Sequence, residues 1–189
     1  MKDVYRECPQ FENSDYCLRL ISPEDTADLW KVYSDEKAVP FFNGDNCHGD
    51  DFHYRSLERM QEAVDFWVFS YGAGYFVRWV IVEKESSHAI GTIELFHRDS
   101  QDAFTNCGLL RLDLRSDYER SGEIQSILSL ILEPAYTLFS CDQIATKAVP
   151  AASQRIDALE RLGFVSTEAK LVGEDGTEYP FYFVRRQNS

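Results

Sequence analysis

The sequence lacks any run of apolar residues long enough to cross a membrane as a helix. Such a span takes roughly 18 or more apolar residues in a row, and no stretch of the 189 residues reaches that length. The chain opens with the letters MKDVYRE, which are polar and lack the apolar segment of a secretion signal. These absences predict a cytoplasmic protein that makes no membrane contact.

Cysteine pairs and the common nucleophile and nucleotide motifs are missing as well. The five cysteines are scattered, with no Cys-x-x-Cys, which predicts reduced thiols rather than a disulfide framework. There is no Gly-x-Ser-x-Gly, no Walker loop and no Gly-x-Gly-x-x-Gly. One short stretch carries side chains of metal-ligand type: Cys47, His48, Asp50, Asp51 and His53. Because its spacing matches no known zinc site, the prediction is a polar loop without a metal.

Basic residues are scarce relative to acidic ones. The chain has 19 Lys and Arg against 32 Asp and Glu, a formal net charge of -13 at pH 7. Such a surface repels phosphate backbones, so the sequence predicts no nucleic-acid partner. The same charge favours cationic partners, such as amines or basic peptides.

Apolar and polar residues alternate in patterns that predict a mixed succession of strands and helices. Residues 1–15 carry little pattern and are expected to form a loosely held arm. The rest predicts a single α/β domain over residues 1–189, with a central, mostly antiparallel sheet and helices on both faces. The predicted strands cover 16–21, 76–82, 89–96, 109–114, 143–149, 164–172 and 177–185; the predicted helices follow Ser22, cover 55–69, begin at Gly122 and cover 153–162.

Proline and glycine predict two helix ends. Pro134 lies inside an apolar helical pattern, where it has no N–H to donate and its ring crowds the preceding turn. The helix from Gly122 is therefore expected to kink or to end near Glu133. Gly163 follows the last predicted helix, as is typical of a C-terminal cap.

Three stretches, taken in this order, resemble the GNAT (GCN5-related N-acetyltransferase) superfamily, in particular its Rim-type branch. The opening of that branch is similar to LRLISPED at residues 18–25 followed by YSDEKAV at 33–39. Its third-strand element is similar to AIGTI at 89–93, and its LEKLGF element to LERLGF at 159–164. The resemblance implies a GNAT-like fold, acetyl-CoA as co-substrate, and transfer of an acetyl group to a primary amine of a small molecule or a protein N-terminus.

The resemblance also implies where acetyl-CoA binds. In the family a strand backbone lines the pantetheine arm, and a helix N-terminus offers N–H groups to the pyrophosphate. The family pattern of Gln or Arg, then Gly, then Gly or Ala is matched here by Glu119, Gly122 and Ile124. The implied cofactor-binding residues are Leu112, Leu114, Glu119, Arg120, Ser121, Gly122, Glu123, Ile124, Ala152 and Arg155.

The candidate catalytic residues are Glu94, His97 and Asp113. On a strand, Glu94 shares a face with Ile90, Thr92 and Phe96, and apolar neighbours are expected to raise the pKa of its carboxyl group. A carboxylate in that setting indicates either a functional acid or the end of a strand where that face is exposed to solvent. His97 is the second choice for a general base, because imidazole titrates near neutral pH.

Two functions remain open at this point. The first is an acetyl-CoA-dependent N-acetyltransferase. The alternative is a catalytically inactive GNAT-fold binding module, because the stretch from Glu119 to Ile124 departs from the family pattern at two of its three informative positions.

Overall fold

A computed structural model of the chain describes residues 3–187 and centres on an eight-stranded sheet. The strands are β1 (Phe11–Glu12), β2 (Tyr16–Leu20), β3 (Val77–Glu83), β4 (His88–Arg98), β5 (Cys107–Leu114), β6 (Gln143–Lys147), β7 (Val165–Ser166), β8 (Leu171–Val172), β9 (Glu178–Tyr179) and β10 (Tyr182–Arg186). The order in the sheet is β1-β2-β3-β4-β5-β6-β10-β7, with β5 and β6 parallel and the other neighbours antiparallel. Strands β8 and β9 pair as a separate two-stranded sheet.

Helices lie on both faces of the sheet. They are α1 (Thr26–Tyr33), α2 (Leu57–Gly72), α3 (Ser121–Leu128), α4 (Leu132–Leu138) and α5 (Ser153–Arg161). One buried core joins the sheet to α1 and α2, and a second joins its other face to α3, α4 and α5. The predicted mixed, mostly antiparallel sheet between helices is confirmed. Within residues 3–187, no helix is both long enough and apolar enough to cross a membrane.

The break in the third helix comes earlier than predicted. Helix α3 ends at Leu128 and α4 begins at Leu132, so the chain turns before Pro134 is reached. Pro134 then lies in the first turn of α4, where a missing N–H leaves no helical hydrogen bond unmade. A straight helix is excluded as expected, but the proline starts the second segment instead of ending the first.

The expected loose arm at residues 1–15 is wrong for the part that the structure describes, which begins at residue 3. Val4 is buried, and its carbonyl accepts a hydrogen bond of 3.0 Å from the hydroxyl of Tyr71. The indole N–H of Trp79 donates to the carbonyl of Pro9 at 2.9 Å, and β1 extends the sheet beside β2. The segment packs although it has few apolar residues of its own, because side chains from distant parts of the sequence bind its backbone carbonyls.

The two strands predicted over residues 164–172 and 177–185 are each divided in the structure. A turn lies between these two ranges, with the Gly173 N–H donating to the carbonyl of Thr177 at 2.8 Å. Only β8 and β9 flank it, however, while β7 and β10 belong to the main sheet. The predicted cap at Gly163 is confirmed by its φ of +84°, a left-handed conformation that favours glycine.

A close approach between β4 and β5 explains the glycine of the AIGTI stretch. A Cβ at Gly91 would lie 2.2 Å from the carbonyl oxygen of Asp113, so any side chain there would push the strands apart. The register with β3 shifts beside this position. As a result Ile90 joins the α3 side of the sheet instead of sharing a face with Glu94.

Strands β5 and β6 separate after a short stretch of pairing. Their paired positions run from Cys107 opposite Gln143 to Leu110 opposite Thr146. Beyond that point β5 continues to Leu114, while β6 ends at Lys147. In the chain, β5 leads through a short turn into α3, and β6 leads through a short loop into α5.

Candidate functional site

A cavity of about 580 Å³ lies between α2, β3, β4 and the loop that precedes α2. We call it the aromatic cavity, because much of its wall is formed by rings. Six of these rings belong to Phe52, Tyr54, Phe66, Trp67, Tyr75 and Phe76. Its size is in the range that holds a small ligand or a large side chain of a polypeptide.

Three charged side chains from adjacent strands form the floor of this cavity. Arg78 on β3, Glu94 on β4 and Arg111 on β5 lie directly opposite one another in the sheet register. The carboxylate of Glu94 accepts hydrogen bonds from both guanidinium groups, at 2.5 Å in the case of Arg111. All three side chains are buried. A single carboxylate therefore holds two cations in place.

Further buried groups fix the position of Arg78. Its Nη1 donates to the hydroxyl of Thr92 at 2.9 Å and lies 3.3 Å from a carboxylate oxygen of Asp113. The hydroxyl of Tyr33 donates to the same carboxylate oxygen of Asp113 at 2.7 Å. On the other side, the ring of Trp67 lies 3.9 Å from the guanidinium carbon of Arg78, a cation–π distance.

The pKa values of the two carboxyl groups shift in opposite directions. Burial alone would raise the pKa of Glu94, but the guanidinium groups of Arg78 and Arg111 outweigh it and hold this pKa below its ordinary value. For Asp113 burial prevails over Arg78 and Tyr33, and the pKa is raised. The expectation of a raised pKa at Glu94 is wrong, because its neighbours are cations as well as apolar side chains.

Two buried nitrogen atoms of this floor lack a partner. The Nε atoms of Arg78 and Arg111 have no hydrogen-bond acceptor among the residues that the structure describes. The Nη2 of Arg111, by contrast, donates to the carbonyl of Asp45 at 2.9 Å. The floor thus retains donor capacity that the protein itself leaves unused.

The structure separates His97 from the other two candidate catalytic residues. Glu94 lines the cavity, and Asp113 lies behind it against Arg78. His97 points to the opposite face of the sheet, where its Nδ1 lies 2.6 Å from the carbonyl of Phe139. The three do not form one cluster, because neighbouring positions on a strand alternate between its faces.

Sequence reasoning missed the histidine that does reach the cavity. His48 lies on the loop before α2, is exposed, and contributes to the cavity lining. That stretch was interpreted only as a metal site or a polar loop. Across residues 3–187, no three His, Cys, Asp or Glu side chains converge in a way that could hold a metal ion.

A second opening, of about 480 Å³, is lined by residues of the turn before α3, by the start of α5, and by two residues from the segment after α1. We call it the α3–α5 groove; its lining includes Lys37, Phe41, Asp117, Glu119, Ala152 and Gln154. Beneath it, Arg155 holds both carboxylate oxygens of Glu119, at 2.7 and 2.8 Å. The Nη1 of Arg155 donates to the carbonyl of Leu112 at 2.8 Å. Both side chains of the pair are more than nine-tenths buried.

Of the residues that the resemblance assigns to the cofactor, Ile124 in the first turn of α3 is buried in the core. Leu114, at the end of β5, is buried as well. Ser121 is held from α5, through its N–H by Gln154 at 3.0 Å and through its hydroxyl by Asp157.

The remaining residues at the start of α3 are partly or fully exposed. Arg120 and Glu123 pair with each other at 3.1 Å, and the carboxylate of Glu123 also accepts a hydrogen bond from the hydroxyl of Tyr16 on β2. Outside its own helix and its chain neighbours, no described atom lies within 4 Å of a Cβ built on Gly122.

Comparison with known proteins identifies the family. Residues 15–165 match the model of the acetyltransferase (GNAT) domain. No curated protein matches the chain. Among solved structures, the ribosomal-protein-S5-alanine acetyltransferase from Vibrio fischeri is similar, with a TM-score of 0.71 and 18% identity, over 96% of this chain and 98% of that one.

Two further solved structures share the fold. A GNAT-family acetyltransferase from Bacillus anthracis matches with a TM-score of 0.68 and 10% identity, over 94% of this chain and 98% of that one. A ribosomal L7/L12 alpha-N-protein acetyltransferase in complex with coenzyme A matches with a TM-score of 0.70 and 12% identity, over 94% and 98%. The family match spans well over half of the sequence, so the expected family is confirmed. The chain belongs to the GNAT acetyltransferase family, whose members are N-acetyltransferases.

Proposed function

We propose that the protein transfers an acetyl group from acetyl-CoA to a primary amine of a small molecule or a polypeptide N-terminus. The observation that carries this proposal is the position of β5 between two openings. Arg111 of this strand lines the aromatic cavity. The carbonyl of the next residue, Leu112, accepts a hydrogen bond from Arg155, whose partner Glu119 lines the α3–α5 groove. A thioester in the groove and an amine in the cavity would therefore meet across a single strand.

The α3–α5 groove is suited to the donor at the level of the backbone. The N–H groups of Gly122 and Glu123 lie in the first turn of α3, where a helix has no acceptors of its own, and the space beside Gly122 is open. Such N–H groups and the helix dipole favour a pyrophosphate. When bound, acetyl-CoA supplies the activated acetyl group.

The two departures from the family pattern are compatible with this donor. The charge of Glu119 is balanced by the bidentate contact with Arg155, which reduces its repulsion of a phosphate. The side chain of Ile124 is fully buried and does not project into the groove.

The acceptor must give up a proton before its nitrogen can attack a thioester carbonyl. Glu94 is a poor proton acceptor, because the two arginines hold its pKa below the ordinary value. We assign proton removal to His48, which lines the cavity and is open to solvent. Imidazole is the side chain best suited to proton exchange near neutral pH. Glu94 then serves as a positioning residue that fixes the two arginines.

The test is release of coenzyme A from acetyl-CoA in the presence of a panel of primary amines. We expect acetylation with at least one of them, and a fall of about 100-fold in kcat for His48→Gln. His97→Gln is the matched control and is expected to keep the wild-type kcat. Absence of turnover and of any acetyl-CoA-induced thermal shift would contradict the proposal and favour the inactive binding module.

A further inference from the structure

Most of the charged groups that line the aromatic cavity already have partners within the protein. Arg59 pairs with Asp50 at 3.0 Å, and Glu94 is shared between Arg78 and Arg111. A charge that is already paired and buried offers little attraction to an incoming ion. What the cavity leaves for a ligand is therefore mainly aromatic surface.

The entrance of the cavity is built from exposed rings. Phe66 on α2 is 56% exposed, and Tyr75, in the turn between α2 and β3, is 63% exposed. The ring of Phe66 lies 6.3 Å from that of Phe76, which lines the same wall. Several exposed rings around one opening are typical of a binding surface, whereas a single exposed ring carries no such meaning.

Resting on the function proposed above, we infer that the acceptor carries a large apolar group next to its primary amine. The amine reaches β5, and the apolar group occupies the aromatic wall between Trp67 and the entrance rings. A phenyl or leucyl group would bury its surface there, whereas a methyl or hydroxymethyl group would leave the rings exposed to water. The chemistry fits a polypeptide whose first residue is Phe or Leu, and equally a free arylalkylamine.

Phe66 is the residue on which this selectivity depends most directly. Its side chain is more than half exposed and lines the cavity, so its loss removes ligand contact without opening the core. Phe69 offers a matched control on the same helix. It is 63% exposed and is not among the residues that line the aromatic cavity.

The first measurement is kcat/KM with acetyl-CoA for peptides that differ only in their first residue: Phe, Leu, Ala or Ser. We expect the peptides with Phe or Leu to be preferred by about 10- to 100-fold, as burial of such a side chain allows. Phe66→Ala should reduce that preference about 5-fold or more, while Phe69→Ala should leave it unchanged. A parallel pair, 2-phenylethylamine against ethylamine, shows whether a free amine or a peptide is the better source of the same chemistry.

The second measurement is calorimetric binding of the same amines in the absence of acetyl-CoA. A preference for apolar amines that Phe66→Ala weakens would support the inference even if no acetyl transfer occurred. Acetyl transfer without any preference for the larger group, or equal effects of Phe66→Ala and Phe69→Ala, would overturn the inference and leave the proposed function intact. Failure of every amine to bind would overturn it as well.

Discussion

The α3–α5 groove and the aromatic cavity both rest on buried arginines, but they use them differently. Beneath the groove, one arginine meets one glutamate: Arg155 holds both oxygens of Glu119 and donates to backbone carbonyls. On the cavity floor, one glutamate meets two arginines, and a nitrogen of each arginine lacks a partner among the described residues.

This difference separates a pair whose hydrogen bonds are complete from a network that leaves two buried donors without an acceptor in the part of the chain that the structure describes. A closed pair such as Arg155 and Glu119 fixes α5 against the end of β5 whether or not a donor is bound. The cavity floor instead keeps two cations side by side around one carboxylate. Removing Arg155 should therefore act mainly on folding, whereas removing Glu94 should lower turnover as well as stability.

The largest effect is expected from Arg155→Met. This change leaves Glu119 buried without its partner and frees two carbonyls, so the free energy of unfolding should fall by about 3–5 kcal/mol. Urea denaturation measures it. Arg161→Met on the same helix is the control, since Arg161 forms an exposed pair with Asp157 and its loss should matter far less. Equal losses in both variants would remove the distinction between the two regions.

Glu94→Gln should lower turnover as well as stability. Without the carboxylate the two arginines repel each other and shift, and a displacement of about 1 Å near the reacting groups can lower a rate about 100-fold. The affinity for acetyl-CoA should stay nearly unchanged, because the proposed donor groove does not include Glu94. Steady-state kinetics test this, with Glu174→Gln, at the rim of the same cavity, as the control. A normal kcat in Glu94→Gln would exclude a positioning role.

The contribution of Glu94 to stability should depend on pH. Its pKa is depressed in the folded protein, so its stabilising effect is present above the unfolded value of about 4.3 and is lost as the pH falls through the folded value. The difference in unfolding free energy between wild type and Glu94→Gln should be largest at neutral pH and shrink below about pH 4. Urea titrations across this range would show a constant difference if the carboxylate were not held by the arginines.

Glu119→Gln should strengthen donor binding while it weakens the fold. The change removes a carboxylate from the groove, and the charge of Arg155 is then no longer neutralised by Glu119. Arg155 can attract a phosphate, so acetyl-CoA should bind about 5-fold tighter or more. Calorimetric titration measures this, and a lower melting temperature without ligand should accompany it. Asp117→Asn removes the same charge from the groove without freeing a buried cation, and should tighten binding less. Weaker binding in Glu119→Gln would show that the pair itself supports the donor.

The smallest effect is expected from Gly122→Ala. An added methyl group meets no described atom within 4 Å and suits a helix, so stability should rise by about 0.5 kcal/mol. If the phosphates of the donor approach this backbone, acetyl-CoA affinity should fall at the same time. Thermal melts with and without acetyl-CoA separate the two effects. If both the stability and the acetyl-CoA affinity rose, the pyrophosphate would not bind at this turn.

The fold could be predicted from the sequence largely because its strands and helices have strong local patterns. Helix α2 and the cap at Gly163 depend on residues that are near in the sequence. The helix was predicted over 55–69 and is found at Leu57–Gly72, and the cap lies at the predicted glycine. The packing of residues 3–15 could not be predicted in this way, since its partners, such as Tyr71 and Trp79, are distant in the sequence.

The candidate site was harder to predict for the same reason. Glu94 stood out as a charge on an apolar strand, but the same signal at Arg78 and Arg111 was not used, and only the sheet register brings the three together. Both arginines are positively charged and lower the pKa of Glu94, whereas the sequence analysis predicts a raised pKa. The pairing of Glu119 with Arg155 joins residues that the sequence analysis had assigned separately to the cofactor.

Both outer strands of the main sheet, β1 and β7, are only two residues long. Little of the backbone is therefore left along the borders for a strand of another molecule to pair with. Removing the first 14 residues would take β1 away and leave β2 as the border along its whole length. A shortened protein of that kind should aggregate more readily at high concentration, even though its family-matching region would be intact.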